Sequence, residues 1–249
     1  MALLVGMLRP EFGFSSSNPL YYVAAYGPSI AAFVVVGRWE GWAGIKRLLS
    51  RLVPRRASVP WYPVVLIGYP AVILLAGRIA DPDIFAKLPS WDRLIWLLAI
   101  SLFVDAGPMG EETGWRGFAL PQLLRWRSPL AAALILGAVW FAWHLPTFFI
   151  STLSQSHLSI PLFLLNSLVL SVIMTWIFLR TEGDVLLMIL FHLVGNDCVG
   201  VLHVPFKAEL AAEVIWAALI VAAGGLQGLP PASRETGKAG NAERLGVGI

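Results

Sequence analysis

The chain has little charge and almost no cysteine. Only 13% of its 249 residues are Asp, Glu, Lys or Arg, while 57% are hydrophobic; soluble domains run at about a quarter charged and about half apolar. With a mean hydropathy of +0.74 and 11 tryptophans, there is more apolar surface than one globular core can hide, which excludes an ordinary soluble domain and implies a membrane protein. The single cysteine, Cys198, excludes an internal disulfide framework, and a lone buried thiol is expected to pack rather than react. A basic stripe is also missing. The net charge is +3, but the lysines and arginines stand between apolar runs rather than along one face, so bilayer topology accounts for them and no nucleic-acid partner is expected. The opening MALLVGMLRP has no basic residue ahead of its short apolar run and no cleavage pattern after it, so the N-terminus is expected to be retained. No internal repeat of the transporter kind is visible.

What is there in abundance is apolar sequence of spanning length. A span needs about 20 mostly apolar residues, and seven stretches qualify, at about 20 to 37, 59 to 77, 92 to 107, 129 to 150, 160 to 179, 185 to 204 and 208 to 224. The third is short and runs straight into charge, which predicts a helix whose end carries chemistry at the membrane edge. Pro28, Pro63, Pro70, Pro146 and Pro161 fit helices that bend or end. The fold class expected is therefore all-α: a polytopic bundle of about seven membrane helices around a polar cavity. Residues 1–89 hold the first spans and a basic loop, 90–205 a core, 206–226 a last span and 227–249 a polar tail expected to be disordered. Basic residues gather after the first span (Arg38, Lys46, Arg47, Arg51, Arg55, Arg56), after the third (Arg116, Arg125, Arg127), after the fifth (Arg180) and in the tail (Arg234, Lys238, Arg244). With seven spans all four clusters fall on one side, which predicts an outside N-terminus and a cytoplasmic C-terminus in a multi-pass protein of the cell membrane.

Ionisable side chains inside or beside spans are costly, so they face a cavity and work with partners. In GEETGWRGF, Glu111 and Glu112 point about 100° apart on a helix, whereas Glu112 and Arg116 are one turn apart and can pair. One glutamate is then free. A solvated helix end with an ordinary ion pair is the plainer alternative. His144, in AVWFAWHLP, is either a polar tie between helices or a working group. His192 and Asn196 share a helical face, as an interhelical bond or as two donors aimed at a developing oxyanion. Asn166 lies midway along the fifth span, where it either makes an interhelical bond or lines the same cavity. Asp105, Asp184 and Asp197 read as helix-end or capping residues. Two carboxylates, two histidines and an asparagine from three spans can hold a water and take its proton, and amide hydrolysis is the natural reaction class.

The order of these groups resembles a known family. EETGWR is similar to the EExxxR motif of the CPBP family (CAAX proteases and bacteriocin-processing enzymes, including type II CAAX prenyl endopeptidases and Abi-domain proteins). WFAWH resembles its FxxxH motif, with Trp140 where the family has phenylalanine, and HLVGN its HxxxN motif. The likeness covers about residues 90 to 205. It implies that Glu111 and His144 activate the attacking water, that His192 and Asn196 stabilise the oxyanion, and that Glu112 with Arg116 supports the site. Trp140 is expected to pack, and with Asn166 to meet substrate. No cofactor is expected, since no HExxH pair is present. The alternative is Zn²⁺ on Glu111, His144 and His192, a set that would suit a catalytic zinc with an open position.

The activity this implies is an intramembrane endopeptidase that cuts near the C-terminus of a prenylated or membrane-inserted peptide. A bacteriocin self-immunity protein of the same fold, and a transporter or non-enzymatic scaffold with a buried proton relay, are the competing readings.

Overall fold

The computed structural model describes residues 18–227; the predicted N-terminal retention and nearly all of the predicted tail lie outside them. Among the described residues all regular structure is helical. Helices α1 (Pro19–Ala25) and α2 (Gly27–Ser50) meet at a 55° bend. They are followed by α3 (Trp61–Ala80) and by α4 (Trp91–Val104), which bends 46° into α5 (Ala106–Leu124). Then come α6 (Pro129–His144), α7 (Ile160–Arg180), α8 (Val185–Gly200) and α9 (Phe206–Ala222).

The helices fall where the apolar runs predict, but the count of seven spans is not reached by length and composition. Three helical stretches are long and apolar enough to cross a membrane alone, or up to five if each bent pair is one span. Helix α8 is apolar but short, and α9 carries Lys207, Glu209 and Glu213. The third predicted span also differs. It ends at Val104, and the two glutamates lie on a separate helix that restarts after Asp105.

The prolines explain the irregular turns. A π-turn at Val64–Gly68 ends two residues before Pro70, and another at Trp115–Ala119 ends two before Pro121. Proline removes a backbone donor and crowds the preceding turn, so widening the helix there relieves the clash. The second of these turns carries Arg116. Pro28 and Pro161 sit instead in first turns, where the missing N–H has no helical partner to lose.

The core is built from α3, α6, α7 and α8, with Ile73, Leu136, Ile173, Phe178, Leu187 and Phe191 essentially fully buried. Where backbones meet, the residues are small. A Cβ at Gly137 of α6 would lie 2.8 Å from the Ser167 carbonyl of α7. On α5, Gly110 and Gly114 form one stripe; their Cβ atoms would lie 2.6 Å from the Ala25 carbonyl oxygen and 2.4 Å from Pro28. Such small residues let membrane helices approach closely. The stripe fixes α5 against the α1–α2 hinge and so sets where Glu111 and Glu112 point. No residue of α4 is buried, and Trp91, Trp96 and Phe103 are exposed on a helix that is free to face lipid.

Candidate active site

Helix α5 presents its two adjacent carboxylates to different neighbours. Glu112 and Arg116 are wholly buried, and Arg116 Nη1 donates to both Glu112 oxygens, at 2.8 and 3.0 Å. The guanidinium also lies 4.8 Å from the centre of the Trp140 ring. Glu112 Oε1 accepts from His192 Nδ1 of α8 at 2.8 Å as well. A buried carboxylate is thereby held by two donors, which offsets much of the cost of its burial.

Glu111 turns the other way, into a cavity of about 400 Å³ bounded by α5, α6, α7, α8 and α9. Trp140 Nε1 donates to its Oε2 at 2.5 Å. Its Oε1 lies 3.6 Å from His144 Nε2. One turn earlier on α6, the Trp140 carbonyl lies 3.0 Å from His144 Nδ1. A carbonyl can only accept, so Nδ1 carries a ring proton and Nε2 is the ring atom turned toward Glu111. At that separation the two atoms do not bond directly, and both can reach one water placed beside them.

On the α8 side, His192 gives its Nδ1 proton to Glu112, leaving Nε2 for the cavity. Asn196 Nδ2 donates to Asp105 Oδ2 at 2.7 Å, and Asp105 Oδ1 accepts from the Gly107 amide at 3.1 Å. Asp105 is the N-cap expected, and it also orients Asn196 across the break between α4 and α5. Asp184 caps α8 through the Leu187 amide and accepts from Ser58 as well. Asp197 sits in the last turn of α8 and accepts from Ser101 at 2.9 Å.

The structure thus gathers Glu111, Glu112, Arg116, Trp140, His144, His192 and Asn196 at one site. Trp140 does more than pack: its indole holds Glu111, and its ring stands edge-on to both His144 and His192, at 5.7 and 5.3 Å. Asn166 fits both of its readings, since it lines the cavity and donates to Glu213 Oε2 at 2.8 Å. Cys198 is a buried thiol. Glu209 and Glu213 of α9 were not singled out in the sequence. Their signal was present, because two carboxylates one turn apart in an apolar run obey the same rule as Glu111 and Glu112. Among the described residues no group of three His, Cys, Asp or Glu side chains is arranged to hold one metal ion. Glu111, His144 and His192 would be the residues to hold a zinc ion, with Trp140 Nε1 occupying one Glu111 oxygen and Glu112 the His192 Nδ1 proton.

Known proteins resemble this part of the chain. The family described as type II CAAX prenyl endopeptidase Rce1-like matches residues 90–197, the stretch holding every residue of the site just described. The chain is also 29% identical over 187 residues to CAAX prenyl protease 2 of Methanococcus maripaludis, an alignment spanning 68% of this chain and 67% of that protein. Over this stretch the chain is similar to the CAAX protease family. The match and the relative's name indicate a membrane-integral protease, a hydrolase. The matched stretch starts at α4 and ends within α8, so α1, α2, α3 and α9 lie outside it while still packing around the site.

Proposed function

We propose that the protein hydrolyses a peptide bond near the C-terminus of a prenylated or membrane-inserted substrate, using a water activated by Glu111 and His144. The observation that carries this reading is the Glu111 Oε1 to His144 Nε2 separation of 3.6 Å at the wall of a cavity among membrane helices. A water held there loses its proton to one of the two acceptors while its oxygen adds to the substrate carbonyl. The resulting oxyanion is met by the free amide proton of Asn196 and by His192 Nε2–H. For His192 to donate from Nε2 while Nδ1 donates to Glu112, its ring must be imidazolium, and the Glu112 carboxylate supports that charge. Collapse of the intermediate breaks the C–N bond, and the proton taken from water passes to the leaving amine. Arg116 holds Glu112 in place.

The relative's name concerns prenylated substrates, and the apolar setting of the site supports a lipid-attached or membrane-embedded peptide. The basic clusters support a cytoplasmic C-terminus and residence in the cell membrane. The test is cleavage of a fluorogenic farnesylated CAAX peptide by the purified protein in liposomes, beside the same peptide without its lipid. Preferred cleavage of the farnesylated peptide supports the reading. Equal cleavage of both moves the substrate to membrane-inserted peptides at large, and cleavage of neither by folded protein favours a self-immunity or scaffold role.

A further inference from the structure

A second polar cluster borders the same cavity. Tyr69 of α3 lies between two carboxylates of α9, with its hydroxyl 2.6 Å from Glu213 Oε1 and 3.3 Å from Glu209 Oε1. A phenol has one proton, and the shorter contact claims it, so Glu213 is satisfied by Tyr69 and by Asn166. Glu209 is left short of a donor. Its Oε2 has no hydrogen-bond partner among the described residues, although the residue is only 5% exposed and lines the cavity.

Asp105 differs in this respect, using one oxygen on Gly107 and the other on Asn196. Glu111 keeps one oxygen on Trp140 and turns the other toward His144, 3.6 Å away, where the reacting water is proposed. Among the described residues no lysine or arginine lines the cavity. Two carboxyl groups one turn apart, with no cation beside them, cannot both ionise cheaply in a low-dielectric interior. The first turn of α9, where Glu209 stands, favours negative charge through the helix dipole. What the wall lacks is a cation. The position is also close to the chemistry, since a Cβ on Gly195 would lie 3.3 Å from the Tyr69 hydroxyl and 4.0 Å from Glu209 Oε1, and Asn196 is the next residue.

We propose that Glu209 is a specificity-determining residue whose free carboxyl oxygen receives a basic side chain of the peptide substrate, lysine or arginine, close to the scissile bond. This rests on the peptidase reading and adds a chemical requirement to it. Tyr69, Asn166 and Glu213 act as positioning residues that hold Glu209 at the wall.

The test uses the full-length protein in detergent and amidated farnesyl peptides that carry lysine or norleucine at each position flanking the scissile bond. At one position, the lysine peptide should exceed its norleucine twin in kcat/KM by on the order of tenfold. In Glu209→Gln that ratio should fall to near one, and in Glu209→Asp it should be partly kept, which separates lost charge from a lost fold. A norleucine preference at every position, or a lysine preference that Glu209→Gln leaves intact, overturns the proposal. Anisotropy binding of the same peptides to the Glu111→Gln protein reads the subsite without turnover. Lysine-dependent binding with no cleavage by wild type would keep the subsite and sink the peptidase reading; lysine-independent binding would sink the subsite alone.

Discussion

Trp140 and Glu111 are tied by a 2.5 Å hydrogen bond from indole Nε1 to carboxylate Oε2. The same α6 turn that supplies this donor fixes the His144 tautomer through the Trp140 carbonyl. One tryptophan therefore orients both Glu111 and His144, its side chain holding the carboxylate and its main chain the imidazole.

Trp140→Phe places the family's usual residue at this position and tests how much the bond contributes. A hydrogen bond to a charged group is worth about 1.5–3 kcal/mol, so activity should fall by about 10- to 100-fold while the protein stays folded. The check is kcat on the farnesylated peptide alongside thermal unfolding in detergent. An unchanged kcat would mean that Glu111 needs no such anchor.

Asp105 should act through Asn196. Asp105→Ala leaves the Asn196 amide free to rotate and removes a cap from α5, so kcat should fall by about 10-fold or more, within the cost of losing one oxyanion donor, with KM little changed. Combining it with Asn196→Ala should add little further loss in kcat. Full additivity would show that Asp105 does not work through Asn196.

The buried Glu112–Arg116 pair predicts a stability cycle. Glu112→Leu leaves a buried guanidinium without its carboxylate and should destabilise by about 3–5 kcal/mol. Adding Arg116→Met should restore most of that, because paired burial of apolar groups carries no such penalty. Activity should stay low in both proteins, since His192 has lost its acceptor. Denaturation midpoints measured beside turnover check the two halves separately.

Gly114 packs against the α2 backbone, where a Cβ would lie 2.4 Å from Pro28. Gly114→Val should displace α5 from the hinge and lower both expression and activity, whereas Gly41→Ala, with nothing within 4 Å but a φ of +61° and a ψ of −153°, should show only local backbone strain of about 1–3 kcal/mol. Expression yield and turnover of the two variants give the comparison.

Chelation should leave cleavage unchanged if Glu111 and His144 do the activating alone. Loss of activity to a chelator, restored by Zn²⁺ but not by Mg²⁺, would return the metal to the mechanism.

Much of the site was legible because membrane charge is rare. Glu111, Glu112, Arg116, His144, His192 and Asn196 stand out against apolar sequence, and helical spacing already separates the free glutamate from the paired one. The kink at Asp105 was less legible, because a cap and an interhelical ligand look alike in sequence. Asn166 kept two readings for the same reason, and the structure gives it both. Glu209 and Glu213 were passed over inside a run read as a span, although their spacing on α9 brings them to one tyrosine. The count of seven spans is not reached by length and composition for physical reasons: bends at Tyr26 and Asp105 break two apolar runs, α8 is short, and α9 carries Lys207, Glu209 and Glu213.

The central claim is that Glu111 and His144 act as a unit on one water, and a double-mutant cycle on cleavage of the farnesylated peptide tests it most directly. Glu111→Gln and His144→Ala should each lower kcat by about 10²- to 10⁴-fold, and the double variant should be scarcely worse than the poorer single one. Losses that multiply, or a single variant that keeps near wild-type turnover, would contradict the account.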